Sequence, residues 1–243
     1  MSDFDICVAL QINSGDLKVN KSLIQKVLYT NPDLLELRLD YIEDIALIDK
    51  NFIKSLLKFS PQEIPVILTL RDASEGGQIK IAPSKRIDLI KMLIECKPQY
   101  LDIEVKTEIS ILSEIFTLAK QHDIKLIFSS HDFKETASFE EGIKEYEDLV
   151  SKKRFIQEGI YKRIYTAQNF EDNFFALKIC KELKKRNQEV LCFCMGEEGI
   201  FSRIACVNFG AAFTYASVAK ITAPGQIHIK KLREAMKLIF QNR

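Results

Sequence analysis

The sequence lacks an excess of charge of either sign, and it lacks a long apolar run. It contains 35 lysines and arginines against 34 aspartates and glutamates, for a net charge of +1. A near-neutral chain gives no reason to expect a nucleic-acid or other polyanionic partner. No apolar stretch reaches the roughly 18 residues that span a bilayer, and no charged-then-apolar leader opens the chain. We therefore expect a cytoplasmic protein that binds neither nucleic acid nor membrane.

The spacing of metal ligands is also missing. Cys192 and Cys194 are one residue apart on an apparent strand, but no matching Cys/His pair supports a zinc site. The six cysteines are scattered along the chain, at Cys7, Cys96, Cys180, Cys192, Cys194 and Cys206. We interpret all six as free, mostly buried thiols in a reducing cytoplasm, and we expect no bound metal.

No linker-like or low-complexity segment divides the 243 residues. Apolar patterns with periods of two and of 3.6 residues predict eight strands, each followed by a helix. The strands are predicted at residues 5–12, 34–40, 65–71, 100–105, 125–131, 161–166, 189–195 and 211–217. The helices are predicted near residues 21–28 (with Asn20 as N-cap), 45–57, 84–95, 109–119, 139–152, 172–185, around Ser202, and at 229–240.

Regular alternation of strands and helices predicts a parallel sheet. Eight such units in about 250 residues match the size of a (β/α)₈ barrel, so we predict an α/β protein with one TIM-barrel domain over residues 1–243. The alternative is a doubly wound open sheet. No Gly-x-Gly-x-x-Gly follows the first strand, which weakens the dinucleotide-binding form of that alternative.

Several predicted strands carry polar side chains at every second position, whereas strands of a covered parallel sheet are usually apolar throughout. The polar set is Glu36, Arg38, Thr69, Arg71, Asp102, Glu104, Ser129 and His131. Buried charges must pair with each other or meet a polar ligand. A structural salt-bridge network, for example Arg38 with Glu36 or Asp40, is one interpretation. A small hydroxylated or anionic substrate, held at the C-terminal ends of the strands, is the other.

The strand predicted at residues 161–166 carries a lysine. Lys162, Ile164 and Thr166 share one face, and Arg163 lies on the other. A buried lysine that loses its proton can attack a carbonyl carbon and form a Schiff base. Solvated charges at an exposed strand end are the competing interpretation, because most lysines lie at the surface.

Taken together, several motifs resemble those of the type I 3-dehydroquinate dehydratases, over nearly the whole chain. They are Glu36-Leu37-Arg38-Leu39-Asp40, Thr69-Leu70-Arg71 with Glu75-Gly76-Gly77, Ser130-His131-Asp132-Phe133, residues 195–203 (MGEEGIFSR), Thr214-Tyr215-Ala216 and Ala223-Pro224-Gly225-Gln226. The resemblance implies a (β/α)₈ barrel that dehydrates 3-dehydroquinate to 3-dehydroshikimate through a lysine imine. It also implies the shikimate pathway of aromatic amino acid biosynthesis, no metal or organic cofactor, and a homodimer.

The resemblance also implies the residue roles. Lys162 forms the imine with the substrate ketone, His131 transfers protons, and Glu75 orients His131. Arg203 binds the substrate carboxylate from a solvated position on the rim. The remaining substrate-binding residues are Glu36, Arg38 and Arg71, which bind hydroxyls, and Thr222 and Gln226 in a turn that closes over the substrate.

One departure from the family pattern concerns the residue after the lysine. Members of the family usually continue with small or apolar residues, whereas this chain continues with Arg163, Ile164 and Tyr165. A shift by one residue would put Arg163 in the lysine's place. The spacing from Lys162 to Glu171-Asp172 favours Lys162, as does the inability of a guanidinium to act as a neutral nucleophile. Two alternative functions are another lysine-imine barrel of the class I aldolase type and a catalytically inactive barrel that acts as a binding protein.

Overall fold

The computed structural model describes residues 4–218 and 222–240. The predicted domain range also includes residues 1–3, 219–221 and 241–243, which lie outside that description. The strands are β1 (Ile6–Gln11), β2 (Leu34–Arg38), β3 (Val66–Thr69), β4 (Tyr100–Glu104), β5 (Lys125–His131), β6 (Ile160–Thr166), β7 (Glu189–Met195) and β8 (Thr214–Ala216). The α-helices are α1 (Leu17–Leu28), α2 (Lys50–Leu57), α3 (Pro83–Glu95), α4 (Ile109–Gln121), α5 (Phe139–Lys152), α6 (Asp172–Lys185), α7 (Ile200–Ala205) and α8 (Ile229–Phe240).

The strands form one eight-stranded sheet in the order β7-β6-β5-β4-β3-β2-β1-β8. The pairs β2–β3, β3–β4 and β6–β7 are parallel. Their register places Arg38 beside Thr69, and Thr69 beside Asp102. The predicted alternation of strands and helices around a parallel sheet is therefore confirmed.

The chain packs as two compact units. Residues 8–127 form one unit, which contains β2, β3 and β4, and the remaining described residues form the other, which contains β6, β7 and β8. Strand alternation buries an apolar side chain at every second position, such as Leu35, Leu68 and Ile103. Each fully buried side chain of this kind contributes about 1.5–3 kcal/mol to folding. The alternate positions of the same strands are left for the polar side chains described below.

Two helix starts differ from the prediction by a full turn or more. Asp16, not Asn20, caps α1, because its carboxylate accepts a hydrogen bond from the backbone N–H of Lys18 at 2.7 Å. Asn20 lies inside the helix and donates to the carbonyl of Ser14. The predicted helix at 45–57 is divided into a short 3₁₀ turn and α2, because Asp49 accepts from the N–H of Phe52 at 2.8 Å and starts a new helix there.

All six cysteines are free and buried, as predicted. No helix among residues 4–218 and 222–240 combines the length and the apolar character that crossing a membrane requires.

Candidate active site

A network of buried ion pairs lies at the ends of β3 and β4 in the unit of residues 8–127. Arg71 donates to Asp102 and to Glu104, each at 2.8 Å. Arg86, from α3, also pairs with Glu104 and donates to the carbonyl of Leu70. Burial alone would lower the pKa of Arg71, but Asp102 and Glu104 outweigh that effect and raise it. Arg71 is therefore a permanently charged, rigidly held guanidinium.

A second group of buried polar side chains lies on β2 and β3 of the same unit. Thr69 donates to a carboxylate oxygen of Glu36 at 2.6 Å. Arg38 makes two parallel hydrogen bonds to Asp40, both at 2.8 Å. The salt-bridge interpretation of the polar strand faces is thus confirmed for Arg38 with Asp40, and it extends to Arg71. These pairs fix the directions in which the remaining donors of each guanidinium point.

Glu75 is 3% exposed and is therefore a buried carboxylate. It ends a 3₁₀ turn beside a cavity of about 260 Å³ in the unit of residues 8–127. The ammonium of Lys106 lies 3.5 Å from its Oε1 atom. The chain folds back tightly after Glu75: Gly76 has a φ of +86°, and a Cβ on Gly77 would lie 2.1 Å from the carbonyl oxygen of Arg71. The two glycines thus hold Glu75 against the end of β3.

In the other unit, Lys162 is 5% exposed, which excludes the exposed strand end considered above. Its Nζ atom donates to the hydroxyl of Tyr215 at 3.2 Å and lies 4.6 Å from the centre of that ring. Tyr215 is on β8, so strands β6 and β8 together position the amine. Sequence reasoning did not assign this partner, although Thr214-Tyr215-Ala216 was among the motifs that carry the resemblance.

Arg163 lies on the opposite face of β6 from Lys162. Its Nη1 atom donates to Ser130 at 2.8 Å, and Nη2 lies 3.1 Å from Glu145 on α5 and 3.5 Å from Asp132. Burial would lower its pKa, but the neighbouring Tyr165 hydroxyl and the Glu145 carboxylate raise it. Arg163 therefore ties β5 and α5 to β6 and does not share the surroundings of Lys162.

Replacing Arg163 by methionine is expected to lower the free energy of unfolding by about 1–3 kcal/mol. Charged hydrogen bonds contribute about 1.5–3 kcal/mol, and the Glu145 side chain is 43% exposed and so can regain water. Thermal unfolding should show a loss of about 2–4 °C per kcal/mol. Arg186→Met is the matched control, because Arg186 also pairs with a glutamate of α5, Glu147, but is exposed. Its loss should stay below about 1 kcal/mol. Equal melting temperatures for both variants would contradict this account of Arg163.

Arg203, on the short helix α7, is 2% exposed. The expectation that this guanidinium is solvated is therefore wrong, although Arg203 does follow β7 as predicted. Its Nη2 atom donates to the carbonyl of Pro224 at 3.2 Å, and its Cζ atom lies 4.8 Å from the centre of the Phe193 ring. It makes no ion pair with any carboxylate of the residues that the structure describes, and burial lowers its pKa to about 10. A buried cation without an acidic partner is suited to an anionic ligand.

The turn after β8 closes on itself through two side chains. The backbone N–H of Thr222 donates to Oε1 of Gln226 at 2.7 Å, and Nε2 of Gln226 donates to the Thr222 hydroxyl at 2.8 Å. Gly225 in this turn has a φ of +73°, and a Cβ there would lie 2.2 Å from the carbonyl oxygen of Gly196. The same turn supplies the Pro224 carbonyl to Arg203, so the turn and the guanidinium are held together.

His131 is the last residue of β5 and is half-buried. Its ring stacks against Phe133, with ring centres 6.3 Å apart. The strand therefore delivers the imidazole to its C-terminal end, as predicted. Among residues 4–218 and 222–240, no group of three or more His, Cys, Asp or Glu side chains is placed to hold a metal ion.

Solved structures of similar fold place these observations in a known architecture. The 3-dehydroquinate dehydratase of Geobacillus kaustophilus matches 98% of this chain and 91% of its own, with a TM-score of 0.86 and 23% identity. The enzyme of the same name from Aquifex aeolicus matches 98% of this chain and all of its own, with a TM-score of 0.78 and 28% identity. The predicted (β/α)₈ barrel is thereby confirmed.

Proteins related in sequence carry the same name as these structural neighbours. A 3-dehydroquinate dehydratase of Methanococcus vannielii is 33% identical over 238 residues, which are 96% of this chain and 99% of that protein. One from Methanococcus maripaludis is 35% identical over 208 residues, which are 85% of this chain and 88% of that protein. The family model for type I 3-dehydroquinase matches residues 6–243. The chain therefore belongs to the type I 3-dehydroquinase family of hydro-lyases.

Proposed function

We propose that the enzyme dehydrates 3-dehydroquinate to 3-dehydroshikimate through a Schiff base on Lys162, as a step of the shikimate pathway. The observation that carries the proposal is Arg203, a buried guanidinium without an acidic partner among the described residues. It lies in the same compact unit as the buried amine of Lys162, and the rings of Phe193 and Tyr215 connect the two. An anion site and a nucleophilic amine in one unit suit a substrate with a carboxylate and a ketone.

The proposed chemistry starts when the neutral amine of Lys162 adds to the ketone carbon. The ketone oxygen leaves as water, and a carbon–nitrogen double bond forms. The protonated imine draws electrons from the neighbouring carbon, so His131 can remove a proton there. The electron pair then forms the carbon–carbon double bond as the β-hydroxyl leaves, and His131 returns the proton to make water. Hydrolysis of the imine releases the product. The imine is the electron sink, so this route calls for no metal or organic cofactor.

The remaining candidates are proposed for binding and orientation. Arg203 holds the carboxylate of the substrate, and Glu75 orients His131. The hydroxyls of the substrate meet the groups that the ion-pair network holds in place, namely Glu36, Arg38 and Arg71. Thr222 and Gln226, in the turn after β8, also bind the substrate. The hydrogen bonds that they now make to each other would be replaced by hydrogen bonds to the substrate.

Register on β6 supports Lys162 over Arg163 as the nucleophile. The guanidinium of Arg163 donates to Ser130 and pairs with Glu145 on one face of the strand. The amine of Lys162 lies beside Tyr215, on the opposite face of β6 from Arg163. We further infer a homodimer, as the family resemblance implies, and a cytoplasmic location, which six buried free thiols support. Sedimentation in dilute buffer tests the dimer, and a single monomeric species would contradict it.

Replacing Arg203 is expected to weaken substrate binding without weakening the fold. The charge-assisted hydrogen bonds to a carboxylate contribute about 1.5–3 kcal/mol, so Arg203→Met should raise KM by about 10- to 150-fold. Arg203→Lys keeps the charge and loses the planar guanidinium, so its KM should lie between those of the unmodified protein and Arg203→Met. Because the guanidinium of Arg203 has no ion-pair partner among the described residues, the free energy of unfolding of the Arg203→Met protein should stay within about 1 kcal/mol of the unmodified value or increase.

Arg71→Met serves as the matched control for stability. Arg71 is also buried but is paired with Asp102 and Glu104, so its removal leaves two buried carboxylates and should cost about 3–5 kcal/mol. Steady-state kinetics and thermal unfolding on the same preparations separate the two arginines. If Arg203→Met unfolds at a much lower temperature and keeps a normal KM, Arg203 supports the fold and does not bind the substrate.

The direct test of the function is to mix the purified protein with 3-dehydroquinate and follow ultraviolet absorbance. Dehydration creates a double bond conjugated with the carboxylate and the ketone, so absorbance should rise and mass spectrometry should show the loss of one water. Cleavage into smaller carbonyl fragments would favour the aldolase alternative. A folded protein that binds the compound without changing it would favour the inactive barrel.

A further inference from the structure

The hydroxyl of Tyr215 accepts a hydrogen bond from the amine of Lys162, at 3.2 Å. The same amine lies over the ring, 4.6 Å from its centre. Tyr215 is 4% exposed. A lysine side chain has four rotatable carbon–carbon bonds, and an amine at its end reaches many positions unless a partner restrains it. The tyrosine therefore restrains both the position and the direction of the reactive nitrogen.

The tyrosine is itself held from several sides. Its ring packs against Phe193 of β7 with centres 6.4 Å apart, and against Phe213 with centres 5.5 Å apart. The residue before it, Thr214, donates its hydroxyl to the carbonyl of Arg203 at 2.6 Å and its backbone N–H to Asp5 at 3.0 Å. These contacts fix the strand and the ring, so the phenol is a rigid reference point for the amine.

Phe193 gives this arrangement a second consequence. The guanidinium of Arg203 lies over its ring, with Cζ 4.8 Å from the ring centre, and the ring of Tyr215 packs against it at a tilt of 50°. The amine and the guanidinium are therefore positioned by one continuous row of aromatic rings. A substrate whose carboxylate is bound by Arg203 then presents its ketone to an amine at a fixed separation.

We infer that Tyr215 is a positioning residue for the nucleophile. Its hydroxyl accepts a hydrogen bond from Nζ, which directs the nitrogen lone pair towards the ketone, and its ring face stabilises the protonated imine by a cation–π contact. This inference rests on the proposed Schiff-base function. It adds a residue that acts on the reacting nitrogen from β8, with its hydroxyl and its ring in separable roles.

The two roles can be separated by two substitutions. Tyr215→Phe keeps the ring and removes the hydroxyl, and it should slow imine formation about 10-fold, as expected for one hydrogen bond to a charged or reacting group. Tyr215→Leu removes both and should slow it about 100-fold, in line with a displaced reactive group. KM should change little in Tyr215→Phe, because the carboxylate site at Arg203 is intact. The readout is the yield of borohydride-reduced adduct at timed intervals, in a single turnover with 3-dehydroquinate.

Tyr146→Phe is the matched control. Tyr146 is also buried, and its hydroxyl donates to Gln188 at 2.8 Å, so the control loses one buried hydrogen bond of the same kind. Its imine rate should equal that of the unmodified protein, while the melting temperatures of the two Phe variants should fall by similar amounts. If Tyr215→Leu does not fold, the comparison of the two Phe variants decides.

Three outcomes are distinct. A slower imine rate in Tyr215→Phe alone supports the inference. An adduct on Lys162 that forms equally fast in Tyr215→Phe and in the unmodified protein overturns the inference and leaves the proposed function standing. Absence of any adduct or turnover in the unmodified protein overturns the proposed function, and the inference with it.

Discussion

Replacing Lys162 by alanine is expected to abolish turnover of 3-dehydroquinate, with a loss of more than about 10⁴-fold in kcat. The reason is that the proposed imine is the electron sink of the reaction, and no other group in the proposed route makes the adjacent carbon acidic. Lys162 is a buried amine on one face of β6, whereas Arg163 lies on the opposite face and donates to Ser130. Arginine cannot substitute, because its guanidinium does not lose a proton near neutral pH.

The control for Lys162 is a lysine of another strand. Lys125 is the first residue of β5, at the opposite end of that strand from His131. The Lys125→Ala protein should therefore retain normal turnover. Circular dichroism and thermal unfolding should show that Lys162→Ala is folded. If Lys162→Ala retains turnover within 10-fold of the unmodified enzyme, the nucleophile is elsewhere.

Replacing His131 by alanine is expected to reduce kcat by at least about 10²–10⁴-fold, the usual contribution of a positioned acid–base group to one proton transfer. The route uses the imidazole more than once, so the loss should lie at the upper end. Because Lys162 is untouched, the imine should still form, and the covalent adduct should accumulate. Intact-protein mass spectrometry during turnover should show that accumulation, together with slow product release.

His122→Ala is the control for the histidine. His122 ends α4 and has no assigned chemistry, so its removal should leave kcat unchanged. A His131→Ala enzyme that turns over within 10-fold of normal, or one that forms no adduct while it remains folded, would contradict the proposed role.

The fold was largely predictable because period-two and period-3.6 patterns are local properties of the chain. The strands at Lys125–His131 and Glu189–Met195 and the helices α5, α6 and α8 were predicted to the residue. Alternation also predicted which polar side chains share a face, and the pairs Arg71–Asp102 and Thr69–Glu36 follow from it. The cap of α1 was not predictable, because Asp16 and Asn20 are both good capping residues and only the folded backbone chooses between them.

The candidate site was less predictable, because its environment depends on residues far apart in the chain. The burial of Arg203 depends on the Pro224 carbonyl, 21 positions later, and no local pattern reports that coverage. The contact between Lys162 and Tyr215 spans 53 positions. The motifs pointed to the residues themselves, but they did not reveal the burial of Arg203 and gave Tyr215 no role.

The most direct test of the lysine imine is to reduce the enzyme with borohydride in the presence of 3-dehydroquinate and to map the product by peptide mass spectrometry. We expect one adduct per chain, on the peptide that contains Lys162, at the mass of the reduced imine, and no adduct in Lys162→Ala. An adduct on a different lysine, or full turnover with no trapped species at all, would contradict it.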